Sequence, residues 1–171
     1  MAVDADGLPA KSIEVLVLGG AANAIAQAIW DAKPAGIQAY GGTSGTATDS
    51  EGGSRTVAFS RPTTVPIWVR VDVTRWTETF PSDGDAQIKQ LIVDFGDALG
   101  IGKSVRSQPL GGILVPDENN VGGVTGVLEV PLVYIGTANP PVASTTVAIT
   151  SRQLPDFDTS RVVVNLAAGT P

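Results

Sequence analysis

Between Lys33 and Pro62 the order of chain breakers leaves few folds open. Pro34 and Gly36 stop any helix that precedes them. Ser50-Glu51-Gly52-Gly53 separates two short runs, residues 44–49 and 54–60, and so reads as the turn of a β-hairpin. Val57 and Phe59 stand two apart in the second run and are expected to face inward. Ser60-Arg61-Pro62 closes the stretch, and a second proline, Pro66, follows shortly. Two prolines so close disfavour helix and pin an extended connector, which places a module boundary there. The expected division is residues 1–62, a β-α-β-hairpin module, and residues 63–171, a β-α-β-β-β module.

Elements on both sides fit that division. Ser12 to Leu18 reads as a strand ended by Gly19-Gly20. Ala22, Ile25, Ala26 and Ile29 then recur at helical spacing, so a helix is expected over 21–33. After the boundary, Ile67, Val69, Val71 and Val73 alternate with Trp68, Arg70, Asp72 and Thr74, the cleanest strand pattern in the chain. Ser82-Asp83-Gly84-Asp85 starts a second helix, with carboxylates at the positive end of its dipole. Ile88, Leu91, Ile92, Phe95 and Leu99 form its apolar stripe, and Gly100 ends it. A short extended piece is expected over 101–107, a helical turn over 108–115, and strands over 121–135, 144–150 and 161–166. Pro131 marks the first of these as an edge strand or a bulged one. The fold class expected is α+β: two small modules, each with an antiparallel sheet and one main packed helix.

Composition removes whole classes of chemistry. The 171 residues include no cysteine and no histidine, which excludes disulfides, Cys/His zinc sites and Ser-His-Asp triads. Lack of cysteine suits a cytosolic product. Seventeen acidic side chains against eleven basic ones give a net charge of −6. Such a chain is a poor binder of nucleic acid or of an anionic membrane surface, so neither is expected as a partner. The first residues have neither a basic nor an apolar region, so no secretory signal is expected there. No apolar run approaches the ~20 residues of a membrane helix.

Two glycine motifs invite comparison with nucleotide sites. Gly100-Ile101-Gly102-Lys103-Ser104 resembles the end of a phosphate loop, but Asp97 stands where its first glycine belongs, and the motif follows a helix instead of opening one. After residues 15–18, Gly19-Gly20 resembles a dinucleotide-binding turn, but Ala21 and Ala24 replace the second and third glycines. No cofactor is expected. Acidic pairs occur at Asp4/Asp6, Asp49/Glu51, Asp83/Asp85, Asp117/Glu118 and Asp156/Asp158. None fits a twelve-residue calcium loop, and all lie where turns or caps are expected; no metal site is assigned, with Asp83/Asp85 and Asp156/Asp158 as the alternatives for a weak cation. Catalysis by carboxylates alone would need two of them facing each other roughly 5–10 Å apart, which spacing in the sequence does not indicate. The chain therefore reads as a non-enzyme with no catalytic residues. Trp30 borders the first helix's stripe, whereas Trp68 and Trp76 fall on the strand face opposite Ile67 and Val71. With Tyr40 they are the candidate interface residues.

Certain motifs, in this order, resemble the baseplate J-like family, the wedge proteins of Mu-like and related contractile-tail phages. They begin with Leu8-Pro9, residues 12–15 and Gly19-Gly20, and continue with residues 25–30, 33–37 and Tyr40-Gly41. Thr48-Asp49-Ser50, Phe59-Ser60-Arg61-Pro62 and residues 66–71 follow. Asp83-Gly84-Asp85, Leu99-Gly100-Ile101-Gly102 and Phe157-Asp158-Thr159 extend the match more loosely. Gly42 and Gly45 depart from it, standing where the family pattern has Asn and a β-branched residue.

The resemblance implies the central and C-terminal parts of such a protein, with an N-terminal region preceding this point in the family. It implies a structural role in a virion's tail baseplate, assembled in the host bacterial cytoplasm. The implied partners are copies of itself and other wedge and hub subunits. A second reading of the same residues is a carbohydrate or adhesion module, with Tyr40, Trp68 and Trp76 as its stacking surface.

Overall fold

A crossover opens the chain: β1 (Ser12–Glu14), α1 (Ala22–Ala32) and β2 (Gln38–Tyr40). This computed structural model describes residue 3 and residues 7–116, 122–142 and 145–170. β1 and β2 pair in parallel, with Ile13 opposite Ala39. A hairpin of β3 (Thr43–Thr48) and β4 (Ser54–Phe59) follows, antiparallel, with Gly45 opposite Val57. β1 is shorter than the expected 12–18, but its extension still holds the fold. Ser60 bridges Leu16 in parallel, giving its N–H to Val15 and taking one from Val17.

α1 lies on the hairpin through its expected stripe. Ala26 and Ile29 are buried with Ala47, Val57 and Phe59, and Ile25 and Trp30 pack at the margin. The approach is close because residue 45 is glycine. A Cβ there would sit 2.2 Å from the carbonyl oxygen of Ala22 and 2.9 Å from the Cβ of Ala26. The helix also seals the hairpin's outer edge with two amide side chains one turn apart. Asn23 Oδ1 accepts from the Thr46 N–H at 3.0 Å, and Gln27 Oε1 accepts from the Thr48 N–H at 2.8 Å. Polar groups that water would otherwise have to satisfy are bonded inside the fold.

The chain divides into two compact units, Met1–Thr63 and Thr64–Pro171. In the second, β6 (Trp68–Trp76) is the middle strand of a three-stranded sheet. β8 (Val127–Gly136) pairs with it antiparallel, and β11 (Val162–Gly169) pairs with it in parallel on the other side. Two smaller ladders join it: β5 (Thr63–Pro66) with β10 (Gln153–Asp156), and β7 (Val105–Arg106) with β9 (Thr146–Val147). α2 (Gly84–Asp97) and α3 (Ser107–Gly112) complete the second unit, with one 3-10 turn at Thr159–Arg161. Ile67, Val69, Val71 and Val73 are 0–1% exposed and meet Ile88 and Ile92 of α2 and Leu110 of α3. Gly96 of α2 makes room for Phe157: a Cβ on it would fall 2.2 Å from the ring.

The class is α+β, and the helices, the hairpin and β6 lie where periodicity puts them. The sheets are not purely antiparallel, as local pattern suggested, since each unit contains a parallel pair, β1 with β2 and β11 with β6. The second unit also has a short helix, α3, besides α2. Pro131 produces the bulge expected of it, where register jumps from Asp72–Leu132 to Thr74–Glu129. The strand expected over 144–150 shrinks to Thr146–Val147. Ser144 lies outside the described residues, as do Val121 and the acidic pairs Asp4/Asp6 and Asp117/Glu118.

Gly45→Val is expected to cost about 2–3 kcal/mol in urea unfolding, because α1 must lift from β3. Gly42→Ala, where an added Cβ meets nothing within 4 Å, is the control and should cost far less. Equal stability of Gly45→Val and the parent chain would overturn this packing.

Candidate interaction surfaces

In the first unit the motif residues serve as joints. Arg61 turns back across the end of β1, where its guanidinium donates to the carbonyls of Val17 (3.2 Å), Gly19 and Gly20 (2.8 Å). It also lies 5.1 Å from the centre of the Phe59 ring. Gly19 and Gly20 have φ of +69° and +79°, a backbone that glycine adopts without penalty. Lys33 makes a second joint, its ammonium 4.5 Å over the Trp30 ring and donating to the Ile37 carbonyl at 3.2 Å. That contact fixes the turn from α1 into β2. Asp49 makes a third. Its carboxylate accepts from the N–H groups of Gly53 (2.7 Å) and Glu51 (3.1 Å) and from Arg55 Nε (2.8 Å).

Beside these joints runs an open apolar groove of about 370 Å³ between β1 and α1, lined by Ile13, Val15, Val17, Ile25, Ile29 and Pro34. Tyr40 stands on β2 opposite Glu14 and is 42% exposed.

In the second unit the sheet presents a mixed face away from its core. Three strands contribute to each row across it: Val163, Arg70 and Tyr134 in one, Asn165, Asp72 and Leu132 in the next. The Arg70 guanidinium stacks 4.0 Å over the Tyr134 ring, and Asn165 Nδ2 donates to Asp72 Oδ1 at 2.7 Å. Leu132 and Val163 remain 44% and 43% exposed. Trp68 and Trp76 lie on this face, both half-buried.

The candidate aromatic residues are not brought together as one platform. Tyr40 belongs to the first unit, and the two tryptophans stand at opposite ends of β6. Eight residues of strand separate them by about 26 Å, too far to hold one sugar ring between them.

The described acidic pairs are engaged in local structure. Asp83 accepts from Gln87 (3.0 Å) and Asp85 pairs with Lys89 (2.7 Å). Asp156 is bound by Arg161 at 2.6 Å, and Asp158 caps the 3-10 turn through Ser160. Among the described residues, no group of three or more carboxylates comes together as a metal site. Neither glycine motif forms a nucleotide cradle: Gly100 ends α2 at φ +72°, and the Gly102 N–H is taken by the Gln153 carbonyl at 2.8 Å. Among the described residues, no helix is long and apolar enough to cross a membrane.

No protein-family model and no curated protein matches the chain. The geometry therefore has to be read from its own residues. Sequence reasoning missed the parts that act at a distance. Arg61 was visible as part of a motif, but its three acceptors lie more than forty positions earlier. Gln38-Ala39-Tyr40 was too short to register as a strand. A strand over 161–166 was visible, but its extension to Gly169 and its place at a sheet edge were not.

The hydrogen bond from Gly53, then that from Arg55, holds the Asp49 carboxyl below its ordinary value of 3.8. Its folded pKa therefore lies below its unfolded one. The resulting stability is complete above the unfolded value and disappears as pH falls through the folded one. Urea unfolding of the parent chain and of Asp49→Asn should differ by a constant amount from about pH 7 to about pH 5, and the gap should narrow below about pH 4. A gap that keeps its size in acid would rule out this role.

Proposed function

We propose that the chain is part of a baseplate wedge protein of a contractile phage tail or tail-like particle, of the baseplate J-like kind. Its role in this reading is structural: it joins copies of itself and neighbouring wedge and hub subunits into the ring around the tail hub. It would be built in the host bacterial cytoplasm and carried in the virion.

The observation that carries the reading is the ordered series of motifs from Leu8-Pro9 through Phe59-Ser60-Arg61-Pro62 to Phe157-Asp158-Thr159. The positions of those motifs support it. Lys33, Asp49, Arg61 and Asp158 each bind backbone at a turn or an element's end. A signature made of joints belongs to a scaffold whose shape is its function, whereas an enzyme's signature gathers reactive groups in a cleft. The exposed apolar side chains on sheet faces, Tyr40 in one unit and Leu132 and Val163 in the other, suit contacts between subunits.

Sedimentation of the full chain, alone and mixed with the tail subunits encoded beside it, tests the reading. Self-association or co-sedimentation with at least one of those subunits is expected. A strict monomer that binds none of them would overturn it.

A further inference from the structure

The three-stranded sheet of the second unit has two edges, and they are finished differently. β8 carries Pro131, a bulge and Glu129, all features that discourage another strand from pairing. In the first unit the outer edge of β3 is sealed by Asn23 and Gln27. β11 has none of these devices. Its residues, Val162-Val163-Val164-Asn165-Leu166-Ala167-Ala168-Gly169, include no charge and no proline. Its register with β6 is unbroken from Val162–Val69 to Gly169–Trp76. Among the described residues, no strand pairs with its other edge. Val163 and Leu166 are 43% and 37% exposed.

An uncovered row of backbone donors and acceptors fits one kind of occupant, an extended strand. We propose that this strand is β11 of a second copy, paired antiparallel about a two-fold axis centred on Asn165. Self-complementarity argues for a copy. Two-fold symmetry requires each residue to face one on the same side of the sheet, so the pairing must centre on a residue. Centred on Asn165, it sets Val164 opposite Leu166 and Val162 opposite Ala168 on the core side. On the outer side, Val163 meets Ala167 and Asn165 meets its own copy. Every facing pair is apolar or amide, and although each chain carries a charge of −6, no like charges face each other along the seam. The two three-stranded sheets become one of six strands, ending at each side in the protected β8. The inference stands on strand geometry, and it rests on the wedge reading only in naming the seam for the self-association which that reading expects.

Charge placed across the seam tests it in the full chain. The parent should sediment at about twice the 17.5 kDa mass of one chain. Val163→Glu with Ala167→Glu sets like charges opposite each other and should return the mass to that of one chain. Val163→Glu with Ala167→Lys sets opposite charges there and should restore the dimer. The chain has no cysteine, so Asn165→Cys introduces a single thiol, expected to form a disulfide-linked dimer on mild oxidation, whereas Thr77→Cys in an exposed turn should not. Far-ultraviolet circular dichroism identical to the parent's shows that the charge variants fold.

A dimer indifferent to both charge variants overturns the seam. So does a parent that is monomeric alone, even if it binds its neighbouring tail subunits, an outcome that leaves the wedge reading intact. A dimer that depends on β11 yet ignores every tail subunit keeps the seam and counts against the wedge reading.

Discussion

The guanidinium of Arg61 makes the first unit a closed object. β1 and β2 pair over only three residues each, and a two-stranded ribbon of that size is not stable by itself. Ser60 adds a bridge at Leu16, and Arg61 then collects three carbonyls from the turn beyond it. Hydrogen bonds to a charged donor are worth roughly 1.5–3 kcal/mol each. The carbonyls of Gly19 and Gly20, both residues in left-handed backbone, are held by the same guanidinium. The start of α1 is fixed by that turn, and the placement of α1 on the hairpin follows. Pro62 comes immediately after the arginine, so the residue that locks the first unit also sets where the chain leaves it.

The second unit is organised by burial more than by any one polar contact. β6 supplies three fully buried side chains to the core, Ile67 just before it supplies a fourth, and the strand has a neighbour on each side. α2 covers that core through Ile88 and Ile92, and Gly96 lets the Phe157 ring lie against the helix. Fully burying each of these branched side chains is worth about 1.5–3 kcal/mol, so the stripe and the alternating strand together dominate the unit's stability. The opposite face of the sheet receives no such cover. On it the Arg70 guanidinium stacks over Tyr134 and Asp72 accepts from Asn165, while Leu132 and Val163 remain exposed.

Legibility in the sequence follows the range of the forces involved. α1, α2, the hairpin and β6 were legible because amphipathic period and turn chemistry act between near neighbours. The hairpin turn was readable from Gly52-Gly53, with Asp49 and Arg55 closing it within a few positions. The pairing of β11 with β6 was not legible. Its partners stand more than ninety positions apart, and nothing in an alternating strand says whether its neighbour runs parallel. The same limit hid Gly45. In the sequence it stood out only as a departure from a family pattern, whereas its missing Cβ is what brings α1 close. Alternation alone put Trp68 and Trp76 on the face of β6 opposite Val69 and Val71, but the distribution of Tyr40, Trp68 and Trp76 over two units and both ends of β6 is a property of the fold.

The treatment of strand edges connects structure to role most directly. An exposed edge exerts a constant pull toward other strands, and a chain that functions alone blocks it. This chain has the means to do so and uses them: a bulge with proline on β8, and amides of α1 on β3. β11 could have been blocked just as cheaply by a lysine at Val163 or Ala167, outward positions where charge would not disturb the core. Leaving eight consecutive residues uncharged at an open edge costs solubility and adds nothing to the stability of the isolated unit. The cost is offset when another strand occupies that edge in the working state. An assembly subunit meets that condition, because its free form is transient and its edges are completed by its neighbours.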